Sequence, residues 1–329
     1  MHILIIGGRQ FLGRAIIEEA IKDGHVITMF NRGKTHPEYA PEGVNIILGD
    51  RVKELHLLDN LQVDCIIDTC GYIPSIVEQS AQYFSQRASI YCFISTLSVY
   101  DDLSISNDES GRRAYCSPEE TTVTGENYGA MKAHCEDIIM KYFPESAIIL
   151  RPGLLVGPHD PTDRFTYWPV RCGMKHSLNG NMLAPGNPNT SAWEFIDVRD
   201  MALFTLHALK SALKGVYNVT GPAKHVEDIL TESMGCFEHS LQIHWVSDED
   251  LLAKGVIPWN DLPLWIPDTI PGLWGFHRTN CKKAIEAGLT IRPLQETITD
   301  LLEWIHTQPE RLPLKAGPSE EQEARYLGL

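Results

Sequence analysis

The chain begins MHILIIGGRQFLGRAIIEEAIKDG, residues 1–24, and this stretch sets the fold class. Ile3–Ile6 is a continuous apolar run that stops at Gly7 and Gly8, the pattern of a buried parallel strand. Beyond the glycines the period changes. Leu12, Ile16 and Ala20 step by four with Ile17 and Ile21 beside them, giving one apolar stripe on a helix that Gly24 ends. A strand, a glycine turn and a helix in that order leave the first backbone N–H groups of the helix unpaired at the turn, where the helix dipole also favours a phosphate.

The same alternation continues. HVITMFN (25–31), VNIIL (44–48), DCIID (64–68), SIYCFIS (89–95) and SAIILR (146–151) read as strands, with helical patterns in SIVEQSAQYFSQ (75–86) and GENYGAMKAHCEDIIMKYF (125–143). Strand and helix in turn over about 150 residues imply an α/β fold, a Rossmann-type doubly wound parallel sheet with right-handed crossovers. After Arg151 the regularity fades, proline and glycine become dense, and aromatics cluster in FTYWPV (165–170), WNDLPLW (259–265) and GLWGF (272–276). A helix at about 198–210 and the strand GVYNVTG (215–221) are expected to return to the sheet. The expected division is a dinucleotide-binding domain of residues 1–164 with a return segment at about 190–222, and an interleaved, smaller substrate lobe of 165–189 and 223–329. The acidic tail PSEEQEARYLGL (318–329) reads as a solvated helical end.

Composition narrows the partners. The chain has 329 residues, 43% hydrophobic, with a formal net charge of -15. It is long enough for a full core. Its apolar runs are of strand length, and no charged-then-apolar leader precedes the first strand, so a cytoplasmic protein with no membrane partner is expected. The negative charge repels phosphate backbones, and no basic patch offsets it, so no nucleic-acid partner is expected. Eight cysteines without a CxxC pair argue for reduced thiols and for no metal site.

The glycine turn GGRQFLG (7–13) is the expected cofactor end. Gly7 permits the tight turn, Gly13 the close packing of helix on sheet, and Gln10 fills the middle glycine slot between Arg9 and the Phe11–Leu12 backbone. At the end of the second strand, where an acid would bond the adenosine ribose of NAD, stand Asn31 and Arg32. No carboxylate there repels a 2′-phosphate, and Arg9, Arg32 and Lys34 are placed to clamp one, so NADP is preferred over NAD. Asp50, followed by Arg51, meets the adenine amino group or caps a helix. Thr69, Cys70 and Gly71 after the fourth strand, and Pro152, Gly153 and Leu154 after the sixth, complete the expected cofactor set.

In ENYGAMKAHCED (126–137) Tyr128 and Lys132 lie four apart on one helical face. A free phenol has a pKa of about 10, so bringing it to neutrality requires roughly 4 kcal/mol in favour of the phenolate, which a nearby ammonium and an oxidised nicotinamide would supply. The spacing alone recurs by chance. Thr96, however, sits at the carboxyl edge of the fifth strand in FISTLSVY (93–100), where it can bond a substrate oxygen while Tyr128 moves a proton.

Together the amino-terminal glycine loop, STLSVY (95–100), YGAMK (128–132), RPGLLVGP (151–158) and FIDVRDMA (195–202) resemble the extended short-chain dehydrogenase/reductase family, which includes the NAD-dependent epimerases and dehydratases. FNRGKT, DTCGY, RPGLLVGPHDPTDRFTYWP and WNDLPLWIP are similar to a bacterial, isoflavone-reductase-like subgroup. The resemblance implies an NAD(P)-dependent oxidoreductase with Thr96, Tyr128 and Lys132 as catalytic triad, an interleaved two-lobe fold, and a homodimer paired through the helix of the YxxxK run and the one before SIYCFIS. An epimerase, or a non-catalytic or RNA-binding relative, is the alternative.

Departures from that pattern shape the substrate. Leu97 and Ser98 stand where family dehydratases carry an acid and base, which argues against dehydration. Leu154 and Trp193 stand where nucleotide-sugar members carry an asparagine and an arginine for the diphosphate. An uncharged, aromatic or terpenoid carbonyl or alcohol is therefore expected, with Ser98, Tyr72, Arg164 and Trp193 at the substrate and Phe165, Tyr167, Trp168, Trp259 and Trp265 near it. Arg164 and His159 leave a small acid open.

Overall fold

A computed structural model describes residues 1–329. In chain order the first half contains β1 (His2–Ile6), α1 (Phe11–Lys22), β2 (Val26–Asn31), β3 (Val44–Leu48), β4 (Cys65–Asp68), α2 (Pro74–Phe84), β5 (Ile90–Ile94), α3 (Tyr128–Tyr142) and β6 (Ala147–Pro152). The second half contains β7 (Leu155–Val156), α4 (Tyr167–Cys172), β8 (Asn181–Pro185), β9 (Ala192–Trp193), β10 (Ile196–Asp197), α5 (Val198–Lys210), β11 (Gly215–Val219), β12 (Lys224–His225), α6 (Val226–Met234), β13 (Gln242–Val246), α7 (Asp248–Ala253), α8 (Lys282–Glu286), α9 (Leu294–His306) and α10 (Glu320–Leu327).

Seven strands form one parallel sheet in the order β11-β6-β5-β4-β1-β2-β3. The order reverses at β1, which pairs with β2 on one side and β4 on the other. At such a switch point the loops leaving two neighbouring strands part, and a crevice opens at the carboxyl edge. Each β1 residue from Ile3 to Ile6 is at most 1% exposed, as a strand covered on both faces must be.

Two clusters sandwich the sheet. On one face α1 and α5 pack in a cluster of 27 buried residues that includes Ile16, Ile17, Met201 and Phe204. On the other, Val77 and Ala81 of α2 meet Ile138 and Ile139 of α3. The expected returning helix and strand are α5 and β11, the latter pairing parallel with β6. A third cluster of 25 buried residues draws on α4, α6, α9 and the parallel pair β8–β13.

The carboxyl-terminal segment differs from the expectation of a solvated end. Ser319 caps α10 through a reciprocal box with Gln322. Glu323 is 2% exposed and accepts from Arg171 Nε at 2.8 Å and Leu183 N at 2.8 Å, while Tyr326 joins the third cluster. The run EEQE looks solvated because its partner, Arg171, lies on α4, far back in the chain.

No helix is long and apolar enough to cross a membrane. All eight cysteines are free, five of them buried. No group of three or more His, Cys, Asp or Glu side chains is arranged to hold a metal ion.

Candidate active site

One cavity of about 1030 Å³ runs along the carboxyl edge of the sheet and under the third cluster, at the upper end of the ~300–1,000 Å³ common for small-molecule sites. Every residue expected to touch the cofactor lines it except Gly71, and of those expected at the substrate Ser98, Tyr72 and Arg164 line it while Trp193 does not.

At the switch point Gly7 and Gly8 both take positive φ, 105° and 93°, a conformation open to glycine. A Cβ on Gly7 would stand 2.4 Å from Thr69 Oγ1, and one on Gly13 would stand 2.7 Å from Gly8 Cα. The turn can therefore pack against the end of β4, and α1 against the turn, only because these positions are glycine. Gln10 precedes α1 in an extended conformation and supplies no side-chain cap, which leaves first-turn N–H groups free toward the cavity that Phe11 and Leu12 line.

Arg9 departs from its expected place on a 2′-phosphate. It is 8% exposed; its Nε donates to Asn31 Oδ1 at 2.8 Å and its Nη1 to the carbonyl oxygens of His36, Pro37 and Tyr39, each at 2.9 Å. Asn31 completes a latch. Its Nδ2 donates to Gly7 O at 3.1 Å while Oδ1 also accepts from Gly33 N. The pair fixes the glycine turn to the loop after β2. Arg32 and Lys34 are exposed at the same end of the cavity.

Asp50 accepts from Val52 N at 2.9 Å, holding the turn after β3. Arg51 is turned inward. It meets fully buried Asp68 at 3.0 and 2.7 Å and Ser80 Oγ at 2.9 Å, with Tyr91 Oη donating to Asp68 at 2.9 Å. Burial alone would raise the Asp68 carboxyl; the Arg51 guanidinium beside it holds it below its usual range. Thr69 Oγ1 donates to Ile6 O at 3.0 Å, tying β4 to the end of β1. Cys70 accompanies it at the cavity wall, as do Pro152, Gly153 and Leu154 after β6.

Tyr128 opens α3, and Lys132 follows one turn on. The loop before the helix is locked by Asn127, which accepts from Thr124 N at 2.7 Å and donates to Thr122 O at 2.8 Å. Thr96 ends the approach from β5, accepting from Ser98 N and donating to Ser98 Oγ, both at 3.1 Å. Lys132 is 2% exposed; two of its three protons go to the carbonyl oxygens of Gly71 and Ile94, at 2.7 and 2.6 Å, and its Nζ lies 4.0 Å from the centre of the Phe93 ring. Gly71 thus acts through its carbonyl. Burial lowers the Lys132 pKa to about 8.

The expected acidification of Tyr128 is not what its surroundings produce. Burial pushes the phenol above its ordinary value, and the neighbouring Thr96 side chain offsets part of that rise. Lys132 spends two of its three N–H groups on the two carbonyls. Tyr72, half in solvent, lies over the same place with its ring centre 6.3 Å from that of Tyr128.

Behind Thr96 and Lys132, Glu136 on α3 receives Arg151 Nε and Nη2 at 2.9 and 2.6 Å and Ser95 Oγ at 2.5 Å, with Arg113 at 3.1 Å. Ser95 adjoins Thr96 and Glu136 lies one turn beyond Lys132, so a single buried carboxylate ties strand to helix.

The substrate end corrects the aromatic reading. Phe165, Tyr167, Trp168, Trp193 and Trp265 all lie in the third core cluster. Trp193 is 2% exposed, its ring centre 4.8 Å from that of Trp168. His159 packs on Trp304 outside the cavity. Of the aromatics expected there, Trp259 lines the cavity, joined by Phe276. Apolar type in the sequence marked burial, not exposure to a ligand.

What stands there instead is polar. Glu194, beside Trp193, is 6% exposed; one oxygen accepts from Thr279 N at 2.7 Å. Burial raises it to about 7, against the pull of the Thr279 and Thr220 groups. His277 accepts from Glu194 N at 3.1 Å through Nδ1, so Nε2 donates to Leu264 O at 2.9 Å. Burial lowers its pKa to about 4, keeping it neutral. Glu194 carried one signal in the sequence: it is a charged residue next to an apolar strand.

The sequence matches the family described as NAD dependent epimerase/dehydratase over residues 3–220. The chain belongs to the NAD-dependent epimerase/dehydratase family. It is an enzyme of the extended short-chain dehydrogenase/reductase type, and the match is to the epimerase/dehydratase family as a whole, with no subgroup distinguished. Among solved structures, the chain resembles UDP-glucuronic acid 4-epimerase from Bacillus cereus in complex with NAD, at 16% identity and a TM-score of 0.65, covering 94% of this chain and 99% of that one. A putative epimerase from Burkholderia cenocepacia J2315 matches at 16% identity and a TM-score of 0.69, over 93% and 98%. The Bordetella bronchiseptica enzyme WbmH in complex with NAD+ matches at 13% and 0.64, again over 93% and 98%. At these identities the likeness is one of fold. No curated protein matches the chain.

Proposed function

We propose that this enzyme is an NAD(P)-dependent oxidoreductase acting on a small carbonyl or alcohol that is not a nucleotide sugar. The observation that carries the reading is that Thr96, Tyr128 and Lys132 line the same cavity as the Gly7–Gly13 turn.

The residues fit a nicotinamide dinucleotide. The glycine turn and the uncapped start of α1 would hold its pyrophosphate, Asn31 and Asp50 its adenosine, and Lys132 its nicotinamide ribose. Arg32 and Lys34, with no carboxylate beside them, favour NADP; several solved relatives hold NAD. Bound there, the dinucleotide supplies the hydride donor or acceptor. The chain's own residues handle the proton. Thr96 orients the reacting oxygen, and Tyr128 gives or takes its proton. Burial raises the phenol above its ordinary value, so it is in the protonated form that a carbonyl reduction needs. Lys132, held by two carbonyls, keeps its remaining N–H for the cavity side.

An epimerase is the second reading, favoured by the family description and by the named solved relatives. It keeps its cofactor and shows no net oxidation. The homodimer through α2 and α3 belongs to this proposal, and sedimentation at the monomer mass alone would remove it.

Thermal shifts with NADPH, NADH, NADP and NAD test the reading first, then loss of reduced-nicotinamide absorbance over a panel of aldehydes, ketones and enones. Stabilisation by a pyridine nucleotide and turnover abolished by Tyr128→Phe are expected. Indifference to all four nucleotides, or unchanged turnover in that variant, contradicts it.

A further inference from the structure

Arg164 lines the cavity with its guanidinium carbon 5.5 Å from the centre of the Trp259 ring. Its one hydrogen bond comes from its backbone N–H to Thr162 Oγ1, and it takes part in none of the ion pairs of the molecule. By contrast Arg9, Arg51, Arg113, Arg151, Arg171 and Arg311 each bond a carboxylate or a carbonyl. A half-buried arginine on the cavity wall, set over an aromatic face and near enough for the Asp160 carboxyl to feel its charge, yet hydrogen-bonded to no carboxylate, keeps its fork open for an anion.

A second observation points the same way. Asp160, four residues before Arg164, also lines the cavity and is 1% exposed; Oδ1 takes both Thr162 bonds at 2.8 Å, while Oδ2 is buried with no partner. A buried carboxyl oxygen without a protein donor needs one from a ligand or its own proton. Burial raises both Asp160 and Glu194, so these two carboxyls oppose an incoming anion less than ordinary carboxylates would. They offer hydroxyl recognition.

We propose that the cavity takes a small oxygenated substrate bearing one anionic group, a carboxylate or a phosphate monoester, which Arg164 grips while Trp259 holds the guanidinium plane and Asp160 and Glu194 bond the hydroxyl or carbonyl groups of the body. This rests on the reading of the cavity as an oxidoreductase site and replaces the uncharged aromatic substrate expected from the sequence. Trp193 in place of an arginine and Leu154 in place of an asparagine leave the diphosphate unheld; Arg164 supplies a different, single anion point.

The test uses matched pairs on protein saturated with its oxidised cofactor, so that carbonyl probes bind without turnover. Phenylpyruvate is compared with its methyl ester, and glyceraldehyde 3-phosphate with glyceraldehyde, by calorimetry. At least one anionic member is expected to bind about 10- to 100-fold more tightly than its neutral partner, the range set by one charge-assisted hydrogen bond. The carboxylate and phosphate arms tell the two anions apart. Arg164→Gln should erase the preference with cofactor affinity as in the wild type, and Arg164→Lys should keep part of it. A panel blind to the anion, or a preference that survives in Arg164→Gln, overturns the inference. Failure to bind any dinucleotide would strike the oxidoreductase reading instead, and the same pairs titrated against the cofactor-free chain would still decide this one.

Discussion

A Cβ on Gly129 would stand 1.8 Å from the carbonyl oxygen of Ser98. The first turn of α3 therefore rests directly on the turn after β5, which brings Tyr128 beside Thr96. Gly129 has an ordinary helical conformation, so its requirement is one of space. Gly129→Ala should push α3 away, at a cost of about 1–3 kcal/mol from overpacking, and lower kcat more than cofactor affinity. Urea unfolding and steady-state kinetics check the two effects. Unchanged stability and turnover would contradict the close contact.

Glu136 and Arg151, 1% and 2% exposed at their side chains, form the buried ion pair behind Thr96 and Lys132. Removing the carboxylate strands Arg151 and frees Ser95 and Arg113. Glu136→Ala should lose about 3–5 kcal/mol in denaturant unfolding. Glu136→Gln, which keeps the shape and one acceptor, should lose less.

The alternation of strand and helix, the glycine turn and the YxxxK pair were legible because each is local: period, turn and spacing all fall within a few residues. The returning α5 and β11 were legible for the same reason. The aromatic substrate wall was not. Phe165, Trp168 and Trp193 have the residue type of either a core or a pocket, and only packing against α6 and α9 assigns them to the core. Arg9 looked like a phosphate ligand and Arg51 like a residue of the cofactor wall until their carbonyl and Asp68 partners, 17 to 30 residues away in sequence, came into contact. Glu323 looked solvated because Arg171 lies 152 residues earlier. Misreadings thus fell on side chains whose partners are remote in sequence.

Glu194 makes stability depend on pH. Its folded pKa of about 7 lies above its ordinary value of 4.5, so between those values the folded chain holds a proton the unfolded chain releases, and stability falls as pH rises through that window. The full swing is about 3 kcal/mol at 1.36 kcal/mol per unit. Cofactor-free melts at pH 5 and pH 8 should show wild type losing more stability than Glu194→Gln. Parallel losses in the two proteins would contradict a buried, proton-holding Glu194.

Arg32 and Lys34 are exposed cations at the end of the cavity where the adenosine is proposed to lie, whereas Arg9 is committed to Asn31 and three carbonyls. Arg32→Ala should weaken NADP by about tenfold or more, one charge-assisted contact, and leave NAD nearly unchanged. Arg9→Ala should instead weaken both, because it loosens the glycine turn. Calorimetric titration of the two dinucleotides against each variant reads this difference, and equal losses for NADP and NAD in Arg32→Ala would contradict it.

The most direct measurement is a crystal structure of the chain grown with NADP. The pyrophosphate is expected over the Gly7–Gly13 turn and the nicotinamide ring facing the Tyr128 hydroxyl, with Lys132 still bonded to the Gly71 and Ile94 carbonyls. A dinucleotide seated elsewhere, or a ring turned away from Tyr128, would contradict it.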